Sequence, residues 1–318
     1  MFQHRPRQVL WLLLALWCTS GSTGAQPPSS PAPEVSPLLS FTQVLQRPHR
    51  PEPQHRVAYA SDAPQQVGEL WLPPAERFGP GPYPVVLLVH GGCWMAELPG
   101  PELLAWQAEA LRQQGVAVWS ISYRRVGHAG GGYPGTFQDV SQAADHLRVL
   151  AQQHPLDLNR VTASGHSAGG HLALWLAVRG QLPHSSPLHR AQPLPIHAVV
   201  PVAGVGDLQW ADPMLGAVCS SGIVGRLVDM AARGPSAWDD TSPARLLRPS
   251  PGGPPITLVS GVYDPIVPPA HARRFVLAAR QQGLVSVRLL NLPDAGHFEL
   301  ISPWTPAGEA VVRAIVGH

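Results

Sequence analysis

Lysine is missing from this 318-residue chain: its 22 basic side chains, histidines apart, are all arginines. Without lysine no Schiff base can form, which removes PLP enzymes and lysine aldolases. No P-loop lysine can reach a phosphate, and no Ser-x-x-Lys site of the β-lactamase type exists. Covalent catalysis, if present, must use Ser, Thr, Cys, Asp, Glu, His or Tyr. Charge is scarce as well. Asp, Glu and Arg make up 13% of residues, about half the usual share. The basic residues never run beyond pairs such as Arg124-Arg125 and Arg273-Arg274, so the clustered cations that grip nucleic acid are absent. The formal net charge is +2, and Arg5 and Arg7 at the extreme N-terminus account for it.

Cysteine is the third scarcity, with only Cys18, Cys93 and Cys219. No two of them stand at metal-ligand spacing, and no H-E-x-x-H is present, so neither zinc nor any other metal or cofactor is expected. Long hydrophobic runs are also few. Val9–Trp17 follows His4, Arg5 and Arg7 and precedes small residues, with Thr23 and Ala25 at −3 and −1 of a cleavage site. The run is too short to span a bilayer and reads as a secretory signal peptide, residues 1–25, implying a secreted or periplasmic protein. Arg5 and Arg7 are not a twin-arginine pair. Cys18 leaves lipid attachment as an alternative, with the bulky Trp17 before it arguing against that. Cys93 and Cys219 remain after cleavage and could pair in an oxidising compartment, but sequence does not supply the Cα separation that a disulfide requires.

Proline and glycine are plentiful, 37 and 31. Residues 26–55 are rich in Pro and read as an extended linker, although the apolar residues of Val35–Leu45 could dock on the domain that follows. From residue 56 to 318, strands and helices alternate. Arg56–Ser61 and Val67–Leu72 suggest an antiparallel pair. Pro84–His90 contains a five-residue apolar run suited to a strand buried on both faces. Strands are further expected at Val116–Tyr123, Val161–Gly165, His197–Ala203, Ile256–Gly261 and Val285–Leu290. Helices are expected at Glu102–Gln114, Phe137–Gln153, Ala168–Arg179, Ala270–Gln282 and Pro306–Val316. This alternation argues for a mostly parallel sheet covered on both faces. Leu208–Arg248 shows no clear period and has the place of a small cap over the carboxyl ends of the strands.

Gly165-His166-Ser167-Ala168-Gly169 fits G-x-S-x-G between a strand and an apolar helix. In such an elbow the nucleophile sits in a tight, strained turn, and flanking glycines avoid collisions with neighbouring backbone. Ser167 is the candidate nucleophile, set at the positive end of the following helix. His90-Gly91-Gly92-Cys93-Trp94 follows the buried strand. Its backbone N–H groups, from Gly91, Gly92 or Cys93, together with that of Ala168, are suited to hold the negative charge that builds on a carbonyl oxygen. A serine nucleophile needs a base and the base an orienter. His297, in Gly296-His297-Phe298 after the last strand, is the candidate base. Asp264, at the end of Ile256–Gly261, is the candidate acid, with Asp207 and Asp294 as rivals. Asp294 is too near His297 in sequence for the usual geometry. His90, His166 and His171 read as packing or supporting residues.

At these residues the chain resembles the α/β-hydrolase superfamily. More narrowly it resembles the serine esterase branch containing hormone-sensitive-lipase-like enzymes, feruloyl-esterase-like (BD-FAE) domains and kynurenine formamidases. The resemblance covers about Arg56 to Val316 and includes Tyr123-Arg124 and Tyr133-Pro134 through Val140. It implies the Ser167, Asp264 and His297 triad, a carboxylic-ester hydrolase working through an acyl-enzyme, and a structural role for Asp139 at a helix start. Cys93 stands where lipase-like relatives usually carry a third glycine. The H-G-G-x-W form with Trp94 is closer to the formamidase and feruloyl-esterase-like groups, so an amidase using the same triad is the alternative. The partner expected is a small ester or amide, with no nucleic acid and no transmembrane anchor. Oligomeric state and natural substrate stay open.

Overall fold

The computed structural model describes residues 38–248, 253–284 and 286–318; the expected signal peptide and the first part of the Pro-rich segment lie outside them. Eight strands form one sheet: β1 His55–Ala58, β2 Val67–Trp71, β3 Tyr83–Val89, β4 Ala117–Ile121, β5 Leu156–His166, β6 Ala198–Val202, β7 Ile256–Gly261 and β8 Val287–Leu292. Their spatial order is β1-β2-β4-β3-β5-β6-β7-β8. β2 runs antiparallel to β1 and β4, and every pairing from β4 to β8 is parallel. This is the α/β-hydrolase arrangement, with helices around a mostly parallel sheet.

The sequence explains why the centre of the sheet is double-covered. In β4, β6 and β7 every residue is buried, and in β3 only Pro84 is partly exposed. Continuous β-branched and leucine runs tolerate that position because neither face needs a polar side chain. The helix Ala168–Val178, buried except at Ala177, leans on β5, β6 and β3. Its Gly170 approaches Gly204 so closely that a Cβ would lie 2.6 Å from the Gly204 Cα. The C-terminal helix Pro306–Val316 opens as its sequence dictates, with Pro306 at its first position and Thr305 Oγ1 accepting from Gly308 N at 3.0 Å.

Several expected elements differ in extent. Glu102–Gln114 divides into a 3-10 turn, Pro101–Leu104, and the helix Ala105–Arg112. Phe137–Gln153 becomes Gly135–Asp145 and Leu147–Leu150. The stretch 208–248, expected to be irregular, is mainly short helices, Leu208–Val218, Ile223–Val228, Met230–Arg233 and Pro243–Leu246. Pro213 inside the first and left-handed backbone at Gly222 and Asp229 break any long period. The Pro-rich segment expected as an extended linker over 26–55 carries, in its described part, the helix Phe41–Leu45. Ser40 and Gln43 cap that helix reciprocally, and Val44 is buried against the core.

Asp139 lies four residues into Gly135–Asp145 and organises the turn after β4. Its Oδ2 accepts from Arg124 N at 2.8 Å and Nε at 2.9 Å; its Oδ1 accepts from Arg124 Nη2 at 2.6 Å and Gln66 Nε2 at 2.7 Å. The carboxylate is fully buried. Removing it leaves a guanidinium and an amide without their acceptor in a low-dielectric site. Asp139→Ala should therefore lower unfolding free energy by about 3–5 kcal/mol, read from urea denaturation midpoints; a loss below about 1 kcal/mol would contradict this role.

Candidate active site

β5 ends at His166, and Ser167 turns the chain with φ +55° and ψ −120° before the helix begins at Ala168. A left-handed backbone at a non-glycine residue costs about 1–3 kcal/mol and persists only where the surroundings enforce it. Those surroundings are backbone. A Cβ at Gly165 would lie 2.4 Å from the Gly169 carbonyl oxygen, and one at Gly169 only 2.0 Å from that of Val89. A Cβ at Gly91 would meet the His166 carbonyl at 2.9 Å and Ser167 Cβ at 3.2 Å. The Gly91-Gly92 turn thus lies directly against the elbow.

That turn is itself left-handed at three consecutive residues, Gly92, Cys93 and Trp94, with φ of +101°, +50° and +55°. Val126 N donates to Trp94 O and Ala96 N to Val126 O, at 2.8 and 2.9 Å. Trp94 is buried edge-on to His171, ring centroids 5.4 Å apart. Among the described residues the N–H groups of Gly92 and Ala168 have no protein acceptor. Cys93 and Cys219 form a disulfide, Cα–Cα 5.8 Å. It joins this turn to the C-cap of Leu208–Val218.

The loops after β7 and β8 meet because Gly261 has no side chain; a Cβ there would lie 2.5 Å from Ala295 O. This brings Asp264 to His297. Asp264 Oδ2 accepts from His297 Nδ1 at 2.7 Å, while Oδ1 accepts from the N–H groups of Ile266 and Val267, both at 2.8 Å. With its proton on Nδ1, the neutral imidazole carries its lone pair on Nε2. The rivals are elsewhere engaged or placed. Asp207 caps Leu208–Val218 through Trp210 N and pairs with Arg274, and Asp294 sits at φ +53° in the turn before His297.

Ser167 and His297 line one cavity of about 160 Å³ with Gly92, Cys93, Leu98, Val218, Ile266 and Phe298 among its walls. Both are nearly buried, 7% and 4% exposed. Ser167 Oγ makes no hydrogen bond among the described residues. His166 supports the candidate base from behind: its Nε2 donates to the His297 carbonyl at 3.0 Å, with ring centroids 4.3 Å apart. Burial holds the His166 imidazole well below its ordinary pKa. His90 Nδ1 donates to Gly91 O at 2.7 Å under the Tyr123 ring, and His171 Nε2 donates to Thr241 O at 2.9 Å. Burial pushes these two pKa values down to about 3 and about 4. All three belong to the frame.

Glu299 was not read from the sequence. Its Oε2 accepts from Gly296 N at 2.9 Å and its Oε1 from Leu39 N, so it braces the histidine loop against the N-terminal segment. An acidic residue two positions past the candidate base was the available signal. Among the described residues no group of three or more His, Cys, Asp or Glu side chains could hold a metal ion, and no helix is long and apolar enough to cross a membrane.

Comparison with known proteins finds esterases among those similar to this chain. The family model described as BD-FAE matches residues 69–278. Esterase LipC of Mycobacterium tuberculosis is 29% identical over 283 residues, 85% of this chain and 65% of its own length. Esterase LipQ of the same organism is 28% identical over 279 residues, 84% of this chain and 64% of its own length. The chain thus spans just under two-thirds of these relatives. Among solved structures, esterase B from Lactobacillus rhamnosis superimposes with a TM-score of 0.70 at 22% identity, covering 85% of this chain and 86% of that one.

Two expectations follow. The disulfide closes a loop of 126 residues, so Cys93→Ser with Cys219→Ser should cost about 2–5 kcal/mol in chemical denaturation; equal midpoints with and without the bond would show that it contributes nothing. The depressed histidines set an acid limit. Below the ordinary value of 6.5 the unfolded chain binds protons at His90 and His171 that the folded chain refuses until about 3 and about 4. Stability should therefore fall as pH drops from about 6.5 to 4. A thermal midpoint that rises over that range would overturn the assignment.

Proposed function

The chain belongs to the BD-FAE family, and from that premise we propose that it is a serine carboxylic-ester hydrolase in which Ser167 is the nucleophile, His297 the general base and Asp264 its orienter. The observation that carries this reading is the His297–Asp264 pair. One carboxylate oxygen is fixed by two backbone N–H groups and the other by the imidazole, and this leaves Nε2 as the basic atom in the cavity that Ser167 lines.

Chemistry follows from that arrangement. As Ser167 Oγ attacks the ester carbonyl, its proton passes to His297 Nε2. The imidazolium that forms is stabilised by Asp264. The carbonyl π electrons move to oxygen, and the N–H groups of Gly92 and Ala168, with Gly91 beside them, hold that charge. Collapse breaks the bond to the leaving alcohol, which takes the proton from His297. Water then attacks the acyl-enzyme and gives a proton to Nε2; collapse breaks the bond to Ser167 Oγ, which takes that proton from His297 as the acid leaves. The Ser–His hydrogen bond missing from the geometry is one that substrate docking typically closes.

The turn His90-Gly91-Gly92-Cys93-Trp94 favours a second reading, an amidase of the arylformamidase or peptidase kind using the same three residues. Export is part of the proposal too: it is supported by the leader read at 1–25 and by the Cys93–Cys219 disulfide, a bond that persists in oxidising compartments. The substrate is a small molecule, and no cofactor is required by these steps.

An organophosphonate probe should label wild type at Ser167 and fail on Ser167→Ala, and that variant should lose about 10⁴-fold or more in kcat/KM on p-nitrophenyl acetate. A Ser167→Ala protein with wild-type turnover would sink the triad. Rapid cleavage of N-formylkynurenine or short peptides, with esters untouched, would favour the amidase.

A further inference from the structure

The segment 38–47 reaches the active site from outside the expected hydrolase boundaries and is fixed to it at several points. Leu39 N donates to Glu299, whose other oxygen holds Gly296, the residue before His297. Leu38 packs so that a Cβ at Gly296 would lie 3.0 Å from its Cδ1. Val44 is buried in the core. Beyond the helix Phe41–Leu45, the Arg47 guanidinium lies 3.9 Å from the Trp304 ring centroid and 5.2 Å from that of Trp106. Such cation–π contacts, with the guanidinium over two indole faces, hold the end of the segment in place.

Between these anchors Phe41 points at the cavity that Ser167 and His297 line. Its ring lies against Phe298, centroids 5.7 Å apart. The remaining apolar walls, Leu98, Leu103, Val218 and Ile266, come from the hydrolase body and the cap. At about 160 Å³ the cavity is well below the roughly 300–1,000 Å³ of sites that take drug-sized ligands.

We propose that Phe41, held by this N-terminal strap, is a specificity-determining wall that limits the apolar group beside the scissile carbonyl to a short chain. The inference rests on the serine-esterase reading above, and it adds a residue from a segment outside the catalytic frame. The strap fixes Phe41 at both ends, so the ring acts as a wall of set position. A shorter side chain there opens the cavity toward solvent along the strap. A larger one closes it further.

The test is a series of p-nitrophenyl esters from acetate to octanoate, and a parallel series of alkyl acetates, on the full chain. Phe41→Ala should raise the octanoate-to-acetate ratio of kcat/KM, or the long-to-short alcohol ratio, by about tenfold or more, since one methylene in an apolar pocket is worth about 10–200-fold. Phe41→Leu should move the same ratio less, and Phe41→Trp should lower it. Ratios unmoved in both series for all three variants, with thermal midpoints alone altered, would make Phe41 merely structural and overturn the proposal. Phosphonate labelling of Ser167 separates this from the reading beneath it. Labelled proteins with unmoved ratios reject the wall and keep the serine esterase, whereas a wild type neither labelled nor active rejects both.

Discussion

The carbonyls of Val89 and His90 lie where a side chain at residue 169 would have to go, and much of the molecule is arranged around that close approach. β3 and β5 are neighbours in the sheet, and the helix after β5 must pack back across both. Only a sharp turn at Ser167 permits this, and the turn forces a left-handed backbone on a residue with a side chain. The strain is sustained by buried strands on either side. β3 and β6, which flank β5, are apolar and almost wholly buried, so the energy that holds the elbow comes from burial spread over the sheet rather than from bonds at the serine itself.

The other parts of the site are brought in by separate means. Gly261 lets the loops after β7 and β8 touch, which joins Asp264 to His297. The Cys93–Cys219 bond ties the glycine turn to the end of the helix Leu208–Val218. Glu299 links the histidine loop to the N-terminal strap. Residues scattered from Phe41 to Phe298 thereby share one small cavity. The neutral, buried His90, His166 and His171 fill the space behind it with groups that hydrogen-bond to backbone carbonyls and add no charge near the proposed nucleophile.

Much of this frame is legible in the sequence because it is local. A five-residue apolar run, a glycine-flanked serine before an apolar helix and a Gly-His after the last strand each carry their meaning within a few positions. What the sequence did not disclose is set through space. The Cys93–Cys219 pairing depends on a Cα separation of 5.8 Å across 126 residues. Proline content made residues 26–55 read as mostly linker, with docking of Val35–Leu45 left as an option; in the described part Ser40, Gln43, Val44 and Arg47 give a capped and anchored segment whose partners lie far along the chain. The stretch 208–248 looked irregular because its helices are short and interrupted by Gly222 and Asp229 in left-handed conformations. The two N–H groups that fix Asp264 belong to Ile266 and Val267, whose side chains carry no sign of the role.

The central claim is covalent: turnover passes through an acyl group carried on Ser167. Rapid quench of the full chain with p-nitrophenyl butyrate, followed by intact-mass and peptide mass spectrometry, tests it most directly. The account predicts a transient mass gain equal to one butyryl group, mapped to the peptide containing Gly165-His166-Ser167. Steady turnover with no adduct at any quench time, or an adduct on another residue, would contradict it.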